Sequence, residues 1–465
     1  MPAPKTQFVC QNCASHFSKW TGRCPSCGEW NTLVEEPVIP EKTLKNALAR
    51  GANSGKVLPA VAINTIETGA EAMRLSTSFK DLNLVLGGGF LPGSVSLLAG
   101  QPGMGKSTLL MQICSFIAEK AHKVLYVSGE ESARQVKLRA LRLGAKSANL
   151  HFVASNSAND IATTISGGAY DFVVVDSIQT LSLKELSTAP GTVSQVSNSG
   201  NLLIRAAKAS GTAVVMVGHV TKDGTLAGPK VLEHLVDVVL QFEGDRYGGF
   251  KTLRAVKNRF GATSELAIFT MSDKGLEEVK NPSAALLKER QNTDGSIILA
   301  TIDGTRPLLV EIQALVDESY FNYPKRAASG FDLNRLNLLI AVLEQRTRLK
   351  LATKDIYLNV VGGIKLNDSA ADLAVCMAIA SAASKRKLAD DLVVFGEVGL
   401  SGEIRSVSSP ERRIAEAKKL GFLHALAPAS IKNTFVLPVT DLRSLLIKYL
   451  RVPTKQKVLK DKGEK

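Results

Sequence analysis

Nine consecutive residues, Gly100, Gln101, Pro102, Gly103, Met104, Gly105, Lys106, Ser107 and Thr108, carry the first chemistry readable in this sequence. The three glycines let the backbone turn tightly, so that successive N–H groups point at one anion. Lys106 is spaced to reach the β- and γ-phosphates of a nucleoside triphosphate, and Ser107 to offer a hydroxyl to Mg²⁺. A helix starting at Lys106 would turn the positive end of its dipole to the same phosphates. The pattern G-x4-G-K-S between an expected strand and helix predicts an ATP-binding loop that uses all nine residues.

Hydrolysis needs more groups. Asp176 closes the apolar run FVVVDS and is suited to hold Mg²⁺ with Ser107. A base must orient water. Glu130 in YVSGEES is preferred to its neighbour Glu131, and it ends a strand expected to lie beside the P-loop strand. A glutamate so placed is similar to the arrangement in RecA-like ATPases. By that resemblance His219 and Lys222, in GHVTKDG, fall where such motors sense the γ-phosphate and contact DNA. A core histidine with no such role is the alternative for His219.

A second chemistry lies at the start of the chain. Cys10 and Cys13, then Cys24 and Cys27, form two C-x2-C knuckles. Four thiolates so spaced predict a tetrahedral Zn²⁺ site, and a segment with so little core needs that cross-link. Redox-active pairs would require a thioredoxin-like βα unit, which the pattern lacks. Lys19, Trp20 and Arg23 lie between the knuckles, open to a role with DNA or protein or to none. Cys114 and Cys376 sit in apolar helical contexts and read as core.

These groups need scaffolds. VSLLAG, KVLYVS, HFVAS, DFVVVDS and TAVVMVGH are short and apolar on both faces, as strands of a helix-covered parallel sheet are. The fold expected is α/β: a small zinc-ribbon-like module, a P-loop core with a parallel sheet, and a second α/β domain. The boundaries expected are a C4 zinc finger at 1–34, a linker at 35–68 with a short helix near 43–50, an ATPase domain at 69–284, a further domain at 285–450 and a basic tail at 451–465. The polar stretch 184–200 is expected as a loop, lining a DNA channel or lying on the surface. A net charge of +14 favours a polyanionic partner. No apolar run suits a signal peptide or a membrane span; ADLAVCMAIASAAS, from Ala371, reads as a buried helix. A reduced, cytoplasmic setting is expected.

The C4 cluster, GQPGMGKST, GHVTKDGTLAGPKVLEHLVD and KNRFG (257–261) together closely resemble the bacterial RadA/Sms recombination proteins, over nearly the whole chain. The resemblance implies a RecA/DnaB-like ATPase of DNA repair and recombination. Such an enzyme forms a homo-oligomeric ring, expected as a hexamer. It loads on single-stranded DNA and drives branch migration of recombination intermediates beside a strand-exchange recombinase. Lys257 and Arg259 suit a cation that completes a neighbouring subunit's site. A solvated charged loop is the alternative.

GGIKLNDSAADLAV and FGEVGLSGEIRSVSSPERR resemble the proteolytic domain of Lon proteases, which use a Ser–Lys dyad. Laid on that pattern the serine position falls on Ala370, with Ser369 just before it, and the lysine position near Glu411. An inactive scaffold is therefore expected, with Arg386, Lys387, Arg405, Arg412 and Arg413 either tracking DNA phosphates or merely solvated. The rival functions are a clock-type regulatory ATPase and an ATP-dependent protease.

Overall fold

A computed structural model describes residues 6–10, 15–26, 28–30, 32–37, 61–62, 74–219, 230–244, 249–320 and 323–450. Cys13, Cys27, Lys222, the 43–50 segment and the 451–465 tail lie outside them. The chain forms two compact units, Met1–Thr68 and Gly69–Lys465.

In the first unit β1 (Thr6–Cys10) lies between β2 (His16–Phe17) and β3 (Leu33–Pro37), all antiparallel. Cys10, Cys24 and Leu33 make its small buried centre, with Phe8 and Phe17 against them.

The second unit holds two large sheets. In the first sheet the parallel strands are β4 (Val95–Gly100), β5 (Val124–Ser128), β6 (Leu150–Ala154), β7 (Phe172–Asp176), β8 (Ala213–His219) and β9 (Val238–Gly244). They run in the order β9-β4-β8-β7-β5-β6. An antiparallel extension, β10 (Lys251–Asn258), β11 (Leu266–Ser272) and β12 (Gly275–Glu278), continues past β9. Successive residues of one strand face different cores. Leu97, Leu125 and Val173 pack on one side, while Leu98, Tyr126 and Val174 pack on the other. Burial on both faces is what makes these strands continuously apolar.

Three expectations change. β5 is not beside β4, because β8 and β7 lie between them. Chain order does not fix strand order, since each crossover can pass over earlier strands. β6 is an edge strand, half-exposed for most of its length, so its apolar run marks one buried face and not two. Residues 193–200 are helical: the helix Val193–Ser210 begins there, and the Thr192 side chain accepts from Gln195 N–H as its cap.

The second sheet contains β13 (Ser296–Asp303), β14 (Arg306–Glu318), β15 (Arg326–Ser329), β16 (Lys354–Val360), β17 (Leu392–Val394), β20 (His424–Pro428) and β21 (Val436–Val439), in the order β15-β16-β14-β13-β17-β20-β21. A small hairpin, β18 (Glu397–Val398) and β19 (Ile404–Arg405), stands apart from it. The helix Ala371–Ser384 is buried on nearly every side within this core. No helix of the described residues is long and apolar enough to cross a membrane. β11 serves both cores: Ala267 and Phe269 face the first sheet's core, Leu266 and Ile268 the second's. Arg254 binds Asp303 through two 3.0 Å bonds beside this wall.

Arg413 is not a DNA-facing cation. It is fully buried, with Nη1 donating to Asp368 at 2.6 Å and to the Ala300 carbonyl at 2.8 Å. Its surroundings, and not its type, decide its role. Arg386, Lys387, Arg405 and Arg412 remain exposed, with Arg405 paired to Glu403. Removing one partner of a buried pair strands the other charge. Arg413→Ala should therefore lose about 3–5 kcal/mol of unfolding free energy in a denaturant titration.

Candidate active site

The carboxyl ends of β4, β5, β7 and β8 meet at one end of the first sheet. Here Gly100 closes β4, and register places His219 directly opposite it. Gly103 and Gly105 take positive φ of 79° and 101°, which favours glycine. A side chain at Gly105 would also strike Met271, since its Cβ would lie 2.6 Å from the Met271 methyl. Met104 is buried beneath the loop and anchors it. The helix Lys106–Glu119 starts directly at Gly105, so its first amides are turned into the site.

Lys106 Nζ donates to the Gly100 carbonyl at 2.8 Å and the Gln101 carbonyl at 2.9 Å, and lies 3.3 Å from His219 Nδ1. On the far side of that ring, Nε2 is 3.5 Å from Glu130 Oε1. Ser177 Oγ also donates to Glu130, at 2.7 Å. Glu130 thus reaches the P-loop lysine across two intervening strands, through His219. Glu131 turns away and pairs with Arg139. The Tyr126 hydroxyl donates to Asp176 Oδ2 at 2.7 Å, fixing a largely buried carboxylate. Gln179 Nε2 donates to the His219 carbonyl at 3.4 Å.

Tyr126, Ser177 and Gln179 went unnoticed in the sequence. Nothing local links residue 126 to 176; only the pairing of β5 with β7 does.

Burial lowers the Lys106 ammonium to about 8, against the opposing pull of Asp176 and Glu130. The charge is therefore lost as pH rises through about 8, and the phosphates of ATP would restore it. ATP binding near pH 8 should take up a proton, seen as a binding heat that changes with the buffer's ionisation enthalpy. Lys106→Arg, always charged, should abolish that dependence.

KNRFG lies elsewhere. Lys257 and Asn258 pair with Val239 and Val238, at the amino end of β9, opposite the P-loop end of the sheet. Lys257 Nζ donates to the carbonyls of Glu233 at 2.7 Å, His234 at 3.2 Å and Val236 at 2.8 Å, capping the helix Lys230–Leu235. Burial lowers its pKa, helped by Arg259 and resisted by Asp237 and Glu233. Arg259 binds the buried Asp237 at 3.1 Å yet stays 52% exposed. Neither cation serves the P-loop of its own chain.

Curated proteins resemble this chain almost end to end. The "DNA repair protein RadA" of Halalkalibacterium halodurans is 45% identical over 95% of this chain and 96% of its own. Those of Bacillus subtilis, 47% identical over 92% and 94%, and Haemophilus influenzae, 46% over 96% and 98%, are similar. The chain belongs to the RadA family. Family models described as AAA domain, rubredoxin metal binding domain and subunit ChlI of Mg-chelatase match residues 65–225, 8–35 and 337–431. Among solved structures, a RadB recombinase shares 22% identity at a TM-score of 0.36, covering 44% of this chain and 100% of its own.

In this RadA-family chain the P-loop core is a RecA-like ATPase core and the C-terminal domain is Lon-protease-like. Ala370 is wholly buried, Ser369 is exposed, and Glu411 is exposed on the first turn of Pro410–Lys419. A buried methyl cannot attack a carbonyl, and an exposed glutamate cannot activate a serine as lysine does. Incubation with unfolded substrates and ATP should release no peptides. Products that vanish in Ser369→Ala would mean that the domain cuts.

Proposed function

We propose that the chain is a DNA-dependent ATPase of recombination and repair, a hexameric ring that translocates on single-stranded DNA and drives branch migration. One observation carries the reading. Lys106, Glu130 and His219 converge at one end of the sheet, while Lys257 and Arg259 lie at the other. Glu130 is 47% exposed in the isolated chain. A site open on one side and the half-exposed Arg259 guanidinium on the opposite end suit subunits stacked head to tail.

The P-loop amides and Lys106 would bind the β- and γ-phosphates, and Ser107 and Asp176 would hold Mg²⁺. Asp176 fits that role, because Tyr126 occupies only Oδ2 and leaves Oδ1 for the metal or its water. Mg²⁺ would supply charge neutralisation across the phosphates. Glu130 would then accept the proton of the attacking water, and His219 would relay the γ-phosphate's presence from Lys106 to Glu130. Lys222 is assigned a DNA contact. In the first unit the buried Cys10 and Cys24 suit a thiolate-bound metal. With Cys13 and Cys27 they would hold Zn²⁺, cross-linking a core too small to stand alone. A strand-exchange recombinase is the proposed protein partner.

The test is a synthetic three-strand branched substrate with ATP. Movement of the branch point by the native chain, and none by Lys106→Ala at equal DNA occupancy, is expected. A branch point that stays fixed in both, with DNA bound, would reduce the reading to a DNA-binding ATPase.

A further inference from the structure

We infer that the first unit carries its own binding face for single-stranded nucleic acid, built from Trp20 and Trp30. Both indoles are unusually exposed for their size, at 57% and 67%. They share one surface. Gly22 lies between them, and a Cβ placed there would meet both rings at 3.8 Å. Arg23 pairs with Trp30 as an antiparallel bridge, and its guanidinium lies 5.8 Å from the Trp30 ring centroid. A 2.7 Å bond from Arg23 Nε to the Gly28 carbonyl holds it there. Neither indole stabilises the described core of this unit, which is Cys10, Cys24 and Leu33.

The surrounding chemistry favours a nucleic-acid strand over a protein. Ser18, Lys19, Thr21 and Arg23 flank Trp20 and Gly22, and none of them is aliphatic. Between Ser18 and Trp30 the cations are Lys19 and Arg23 and the one acid is Glu29; Glu35 and Glu36 fall on β3, beyond that segment. Every base has a flat π-face, so two adjacent indoles can stack bases without reading sequence, while the cations meet the phosphates. A guanidinium already held over an indole face is preorganised to meet the phosphate beside a stacked base. The inference rests on the reading of the chain as a single-strand-dependent ATPase, but it can fail separately.

Trp20 and Trp30 are the only two tryptophans in the chain, so all indole emission reports this face. The full chain is titrated with a dye-labelled poly-dT strand, following strand anisotropy and tryptophan emission together. Emission should be quenched with the same midpoint as the anisotropy rise. An abasic strand of equal length should bind with far less quenching. Trp20→Ala and Trp30→Ala should each weaken poly-dT binding roughly 5- to 100-fold, with zinc content and ATP affinity unchanged. Anisotropy that rises while emission stays constant would overturn the inference and leave the indoles to a protein partner, with the single-strand reading intact. Equal quenching by the abasic strand would also overturn it, because stacking would then play no part. No anisotropy change at all would remove both.

Discussion

Glu130→Gln should bind ATP nearly as the native chain does and hydrolyse it roughly 10²–10⁴-fold more slowly. Glu130 stands beside His219 and Ser177 and supports no core packing, so its loss removes a base and little else. The amide keeps the hydrogen bond from Ser177 but cannot take a proton from water. Turnover should fall with ATP affinity held, the pattern of an interaction made in the transition state. Glu131→Gln is the control: it loosens Arg139 and should leave hydrolysis largely intact. If Glu131→Gln abolished turnover and Glu130→Gln did not, the roles would be reversed.

The second large effect concerns Lys257 and Arg259. Cations supplied by a neighbouring subunit accelerate phosphoryl transfer roughly 10³–10⁵-fold. Arg259→Ala should lose hydrolysis on that order while still binding ATP. Arg259 is the cleaner probe, because Lys208 still pairs with Asp237 at 3.7 Å when Arg259 is removed, whereas Lys257→Ala would uncap a helix held through three carbonyls. Mixing Arg259→Ala chains with Lys106→Ala chains should recover activity, since an intact P-loop on one subunit can meet an intact Arg259 on the next. Activity no greater than the sum of the two dead proteins, with subunit exchange demonstrated, would return KNRFG to a purely structural corner.

What could be read in the sequence was local. The P-loop is one continuous motif whose glycines, lysine and serine act through neighbouring backbone, so its geometry follows from spacing. Two-faced apolar runs likewise marked β4, β5, β7 and β8 as buried strands. Strand order was not legible, because nothing in the chain between Ser128 and Phe172 says that β7 and β8 will insert between β4 and β5. The proximity of Glu130 to Lys106 therefore depends on His219, a long-range consequence of register. Arg413 failed for a related reason: its helix looks basic and solvated, and its burial is explained by Asp368 and the Ala300 carbonyl on distant segments. The helix over 193–200 was legible and missed. Thr192-Val193-Ser194-Gln195 carries a helix-start signature that the small polar residues obscured.

The rate of ATP hydrolysis with and without single-stranded DNA, across a salt series, tests the DNA-driven ATPase most directly. Single strands should raise the rate at low salt. The strand concentration needed for half-stimulation should climb steeply as salt increases, because phosphate contacts release counterions. Lys106→Ala should show no hydrolysis at any salt. A rate unchanged by DNA at low salt, with the strand shown to be bound, would contradict a DNA-driven motor.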